Sequence, residues 1–199
     1  MKSDLISGRF LKKLQVEYHL FSLHTLNTSD HYDWIFKRGK QGSLIEAVQS
    51  LKLRGKIRHI GFSTHAPVNI IRKLIESDVF EYVNLHYHWC GSYTCSGEGQ
   101  YGGNLENVKL CAQKDMGVFI ISAFDKGGRL YAPSKKLQSL TLPDLEPISY
   151  GALWLWHHEH HNQDCTPIHT IVCGAARPSD LDQPMNKPSS FPRKQVLHI

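Results

Sequence analysis

The sequence predicts an α/β protein built on a parallel sheet. Five times a short apolar strand runs into a polar or glycine turn and then an amphipathic helix. The sharpest instance is Lys56-Ile57-Arg58-His59-Ile60-Gly61-Phe62-Ser63-Thr64-His65-Ala66-Pro67. Its β-branched and aromatic residues mark a strand, Ser63 and Thr64 stand where that strand stops, and Pro67 suits the first turn of a following helix. Strand followed by helix, repeated, implies parallel pairing, and parallel βα units carry their chemistry at the carboxyl ends of the strands.

Residues 3–15 read as an amphipathic helix carrying Leu5, Phe10, Leu11 and Leu14. Lys2, Arg9, Lys12 and Lys13 give this segment some likeness to a transit peptide, but Asp4 and the helical spacing favour a folded helix. His19-Leu20-Phe21-Ser22-Leu23 is the first strand and ends at His24, and a polar loop follows through Arg38, Gly39 and Gly42. Ser43-Leu44-Ile45-Glu46 has capping-box spacing: the serine oxygen can accept from the amide three residues on, and the glutamate can reach back. Leu44, Val48 and Leu51 share the next helical face, and Gly55 suits the left-handed residue that ends it.

After the second strand, Ile70, Ile71, Leu74 and Ile75 mark the buried side of a helix. Tyr82-Val83-Asn84-Leu85-His86-Tyr87 is the third strand, followed by a glycine-rich loop over 91–103. Asn104 can cap a helix bearing Leu105, Val108 and Ala112. Residues 118–121 form the fourth strand, and Gly127-Gly128 opens another long loop. Ile148, Ala152 and Leu155 make a helical stripe, and 168–173 is the fifth strand. Pro184, Pro188 and Pro192 would break any long helix, so 183–199 reads as a flexible tail behind one domain over 3–182.

At 199 residues the chain can bury a substantial core, and 41% hydrophobic with 21% charged residues describes an ordinary globular protein. The net charge of +5 is a mild positive surface, compatible with a phosphate-bearing ligand. No arginine-rich stretch with interleaved aromatics and no nucleic-acid motif is present, so no nucleic-acid partner is expected. No apolar run approaches the roughly 18 residues of a membrane span. Cys90, Cys95, Cys111, Cys165 and Cys173 lack the paired spacing of a zinc site, which points to reduced thiols and a cytoplasmic location. His157-His158-Glu159-His160-His161 places two imidazoles four apart, but beside Trp154-Leu155-Trp156 near a helix end it reads as a solvated run, and no metal is expected.

Periodicity alone leaves two architectures open, an open doubly wound sheet and part of an eight-stranded barrel. The first turns lack G-x-G-x-x-G, which argues against the common dinucleotide-binding open sheet. Tyr18-His19-Leu20-Phe21-Ser22-Leu23-His24, Lys56 to Ser63, Tyr82 to Tyr87, Ile120-Ile121-Ser122-Ala123-Phe124-Asp125-Lys126-Gly127-Gly128-Arg129-Leu130 and Ile171-Val172-Cys173-Gly174-Ala175-Ala176-Arg177-Pro178 resemble, in that order, the aldo/keto reductases. The resemblance implies a partial (β/α)₈ barrel holding strands four to eight, with the first three expected upstream of Met1. Two ladder edges, at 19–24 and 168–173, would then need a partner, and self-association is one way to supply it.

The family moves a hydride between NADP(H), or in some members NAD(H), and a carbonyl or alcohol substrate. A tyrosine, lysine and aspartate of the family fall on strands before this alignment, so only His24 fills a catalytic position, and weak or absent turnover is expected. For the cofactor, the resemblance implies Ser63, Thr64 and Asn84 at the nicotinamide carboxamide. Ser122, Phe124 and Lys126 would lie along the pyrophosphate, and Gly174 and Arg177 at the adenosine phosphate, where an arginine fork suits a 2′-phosphate. Ile121 stands where many members stack an aromatic ring. Tyr87, His88 and Trp89 would face the small-molecule carbonyl substrate, with Tyr87 and Trp89 equally readable as packing. The alternative is a non-catalytic remnant that binds nucleotide weakly or serves as an interaction module.

Overall fold

In the computed structural model the five anticipated strands are all present: β1 (Tyr18–Leu23), β2 (Ile57–Thr64), β3 (Tyr82–His86), β4 (Gly117–Ile121) and β5 (Thr170–Ile171). They form one parallel sheet in the order β1-β2-β3-β4-β5, alternating with helices. The structure describes residues 18–88, 104–125, 129–141, 145–156 and 168–185. The chain divides into two compact units, Met1–Val83 and Asn84–Ile199.

In the first unit, β1 and β2 pair in register from Tyr18↔Ile57 to Leu23↔Phe62. The segment after β1, expected to be loop, contains helix α1 (Ser29–Phe36). Only Ile35 of its eight residues is buried, too sparse an apolar pattern to announce a helix. The start signal is Thr28, whose hydroxyl accepts from the amide of His31 at 3.2 Å. Helix α2 (Leu44–Leu53) begins with the predicted reciprocal cap: the Glu46 amide donates to Ser43 Oγ at 3.2 Å and the Ser43 amide to Glu46 Oε2 at 2.7 Å. Gly55 follows it at φ +68°, the left-handed conformation glycine adopts without a Cβ clash.

Helix α3 (Val68–Glu76) buries Ile70, Ile71, Leu74 and Ile75, the predicted stripe, with each side chain contributing about 1.5–3 kcal/mol by leaving water. Pro67 sits one position earlier than expected, at the cap, where its carbonyl accepts from Ile70 and Ile71. At the opposite end of the strands, Glu81 joins three groups. It accepts from Lys52 Nζ at 2.5 Å, from the Ile60 amide at 3.0 Å, and pairs with His59 Nδ1 at 3.0 Å.

In the second unit, β4 pairs with β5 through Phe119↔Thr170 and Ile120↔Ile171. β5 is shorter than the expected 168–173, but the ladder continues on both sides: His169 N donates to Val118 O at 3.0 Å and Val172 N to Ile120 O at 2.8 Å. Helix α4 (Asn104–Gln113) turns Val108 and Cys111 inward. The expected loop past β4 instead holds a 3-10 turn (Arg129–Tyr131) and helix α5 (Lys135–Thr141), whose start is capped by Ser134 Oγ accepting from Leu137 N at 3.2 Å. Helix α6 (Pro147–Trp156) buries Ile148, Ala152 and Leu155, as the stripe predicted. A second 3-10 turn (Pro178–Leu181) leads into α7 (Asp182–Met185), so the expected tail boundary at 183 falls inside a short helix. Ser149 Oγ donates to the Gln183 carbonyl at 2.7 Å and holds that helix.

Candidate functional site

In the first unit the carboxyl ends of β1 and β2 are adjacent, as parallel pairing in register requires. His24, exposed one residue beyond β1, has its Nδ1 3.2 Å from Ser63 Oγ near the end of β2, which is buried. This brings together two of the residues singled out by the sequence. The chain then turns through Thr25 at φ +64°. A β-branched residue in that region is uncommon and costs of the order of 1–3 kcal/mol, so surrounding bonds must hold it there. They are supplied by the next two residues: Leu26 N donates to Ser63 O at 3.0 Å, Leu26 O accepts from Thr64 Oγ1 at 2.7 Å, and Asn27 Oδ1 accepts from His65 N at 2.8 Å. Leu26 and Asn27 carry no recognisable motif, and the sequence reading missed them.

Thr64 is fully buried. Its hydroxyl proton goes to Leu26, and one lone pair receives the Ala66 amide at 3.0 Å. No donor remains on it for a ligand oxygen.

In the second unit the expected residues differ widely in exposure. Asn84 is half-buried, whereas the other four residues of β3 are buried. Tyr87 and His88 are buried, at 2% and 0% exposure. The Tyr87 ring lies 5.5 Å from Trp154, and His88 lies 4.9 Å from the ring of His86. Burial lowers the His88 pKa and the nearby Asp125 carboxylate works against that, so the imidazole is disposed to stay neutral. Asn104 Nδ2 donates to the His86 carbonyl at 2.8 Å and its Oδ1 accepts from Asn107 at 3.0 Å, tying the end of β3 to α4.

Past β4, Ser122 is half-buried at φ +56° and Asp125 shares that angle, closed by Asp125 N donating to Ser122 O at 3.2 Å. Two left-handed non-glycine residues in one turn mark a conformation imposed by its surroundings. Phe124, expected along a phosphate path, is buried and meets Tyr131 edge-on at 6.2 Å. Tyr131, which the sequence reading passed over, is raised in pKa by burial and by the neighbouring Cys173 and Asp180. Gly174 and Arg177 are exposed after β5. The Arg177 guanidinium is already engaged: Nε and Nη2 donate to Asp180 Oδ1 at 3.2 and 3.0 Å, while Asp180 Oδ2 accepts from the Ala176 and Arg177 amides. Trp89, Lys126 and the histidine run at 157–161 lie outside the described residues.

Among the described residues no group of three or more His, Cys, Asp or Glu is placed to hold a metal ion, and no helix is long and apolar enough to cross a membrane. Cys111 and Cys173 are free thiols, and burial pushes Cys111 up to about 12, far from thiolate reactivity.

Neither a family model nor a curated protein sequence matches the chain. Solved structures do. An aldo/keto reductase from Klebsiella pneumoniae in complex with NADP and acetate is 18% identical with a TM-score of 0.55, over 87% of this chain and 54% of that one. An aldo-keto reductase from Bacillus halodurans is 16% identical with a TM-score of 0.57, over 94% and 63%. An aldose reductase from Giardia lamblia is 18% identical with a TM-score of 0.52, over 89% and 59%. The chain therefore has the fold of part of an aldo/keto reductase barrel, as its strand ends suggested. It spans between 54% and 63% of the length of these three structures.

Proposed function

We propose that this chain is the nucleotide-facing part of an aldo/keto reductase-like oxidoreductase that takes NADP(H) and a small carbonyl or alcohol substrate. The observation that carries the reading is the His24–Ser63 pair at the carboxyl ends of two parallel strands, where barrel chemistry is located. When bound, the reduced nicotinamide supplies the hydride that adds to the carbonyl carbon. The protein's share is to orient that carbonyl and deliver a proton to its oxygen.

With Nδ1 beside Ser63, the remaining ring nitrogen of His24 is the one available to the substrate oxygen. Ser63 carries over as a carboxamide partner in the first unit. In the second, Asn84 is a carboxamide partner, and Ser122, Lys126, Gly174 and Arg177 take the phosphates. Phe124 is retained only as packing beneath that turn. These residues fit a nucleotide in part, since Thr64 has no donor left and Arg177 is clasped by Asp180.

Those two engaged groups favour a second reading, a weak nucleotide-binding or interaction module without turnover. Titration of the protein into NADPH, read by nucleotide fluorescence, followed by aldehyde and ketone turnover assays, separates them. Turnover that disappears in His24→Ala supports the enzyme. Binding without turnover supports the module, and neither binding nor turnover at millimolar levels ends both. The same reading places the protein in the cytoplasm and expects exposed strand edges to self-associate, which light scattering of the purified chain tests.

A further inference from the structure

We infer that Thr64 and Asn27 are positioning residues: they latch the loop after β1 to the end of β2 and thereby aim the His24 ring. The inference rests on the reductase reading for its catalytic meaning, but the latch itself is a property of the first unit. The sequence resemblance places Thr64 on the cofactor. Its chemistry points elsewhere. A threonine hydroxyl has one proton, and here that proton goes to Leu26 O at 2.7 Å, in a fully buried setting. The oxygen also receives Ala66 N at 3.0 Å, which fixes the rotamer.

Three consecutive residues at the end of β2 each grip a different part of the loop. Ser63 takes the Leu26 amide on its carbonyl and the His24 ring on its hydroxyl. Thr64 takes the Leu26 carbonyl, and the His65 amide takes the Asn27 side chain. Leu26 is thus held by both of its backbone groups, immediately beyond the left-handed Thr25. That turn separates Leu26 from His24, so fixing Leu26 and Asn27 fixes the direction in which the chain leaves His24. Release of Leu26 lets Thr25 relax to an ordinary conformation, and the His24 ring loses its place against Ser63.

The test uses the full chain with the histidine rings labelled with nitrogen-15. While Nδ1 stays in contact with Ser63 Oγ, its nitrogen-15 signal should differ from that of the same ring in Ser63→Ala, where the partner is removed. Thr64→Val keeps the shape and removes the hydroxyl; it should move the Nδ1 signal toward the Ser63→Ala value, and Thr64→Ser should restore it. Asn27→Ala, at a less buried position, should loosen His24 in the same direction and decides the matter should Thr64→Val fail to fold. In turnover, Thr64→Val should lower kcat roughly tenfold or more, with KM for NADPH unchanged. An unaltered His24 signature in both Thr64→Val and Asn27→Ala overturns the latch. A rise in the Kd for NADPH with His24 unaltered assigns Thr64 to the cofactor instead. A chain without any turnover defeats the reductase reading alone, because the ring signature still reports the latch.

Discussion

Adding one methyl group at Gly61 should destabilise the first unit, and the structure shows what it would meet. Gly61 is buried in β2 opposite Ser22 of β1. The ring of Tyr82, the first residue of β3, lies over it, so that a Cβ at Gly61 would fall 2.5 Å from both Cε1 and Cε2. Tyr82 is buried, and its hydroxyl is hydrogen-bonded to Ser22. The ring therefore has to retreat by about 1 Å to reach ordinary carbon contact, at the expense of that bond. Overpacking costs about 1–3 kcal/mol and the strained or lost hydrogen bond about 0.5–1.5 kcal/mol. Replacing a strand glycine by alanine returns about 0.5–1 kcal/mol of chain entropy. The net is a loss of about 2 kcal/mol for Gly61→Ala, or roughly 4–8 °C in Tm for a chain of this size. The assay is urea and thermal unfolding of Gly61→Ala alone and in a Tyr82→Ala background. With the ring removed, the methyl group should cost nothing. An equal loss in both backgrounds, or no loss in the single variant, would refute the steric argument.

Three further outcomes follow from the same geometry. Burial raises the Glu81 pKa, but the bonds from Lys52, the Ile60 amide and His59 outweigh it, so the carboxyl ionises below its usual range. Its stabilisation is therefore present above the ordinary carboxylate pKa and is lost as pH falls through the lower folded value. Urea unfolding between pH 7 and 3 should show this, and Glu81→Gln should remove that pH dependence while costing about 1 kcal/mol at pH 7, because the carboxylate is more than a third exposed. Ile35→Ala should cost about 2–5 kcal/mol in the same measurement, whereas Trp34→Ala, at 62% exposure on the same helix, should fall within about 0.5 kcal/mol of wild type. Asp180→Asn keeps an oxygen for the Ala176 and Arg177 amides but frees the Arg177 fork. It should improve NADPH binding relative to NADH by roughly twofold to fivefold, read from the two Kd values.

The strands were legible because their signal is local. Ile57, Ile60 and Phe62 mark one strand that the polar Ser63 and Thr64 and then Pro67 bring to an end, and the Ser43–Glu46 cap needs only four residues to declare itself. Helix α1 was not legible, since a single buried residue, Ile35, anchors it and Thr28 is its main start signal. The chemistry-bearing residues could be named from their places at strand ends, as His24 and Ser63 show. Their engagements could not. Thr64 meets Leu26 across 38 positions of sequence, and that contact exists only once β1 and β2 pair. Arg177 and Asp180, three apart, form a pair that their spacing allows, but an exposed arginine at that spacing suits a phosphate equally well. Tyr87 and His88 follow a strand whose pattern does not distinguish a ring packed inward from one facing a substrate.

The central claim is that the His24–Ser63 pair at the carboxyl ends of β1 and β2 belongs to the proposed nucleotide site. The most direct measurement is an NADPH titration of the nitrogen-15-labelled chain, following the amide signals of these two residues. The account predicts that both move together and saturate with a single Kd. No shift of either up to millimolar NADPH would contradict it.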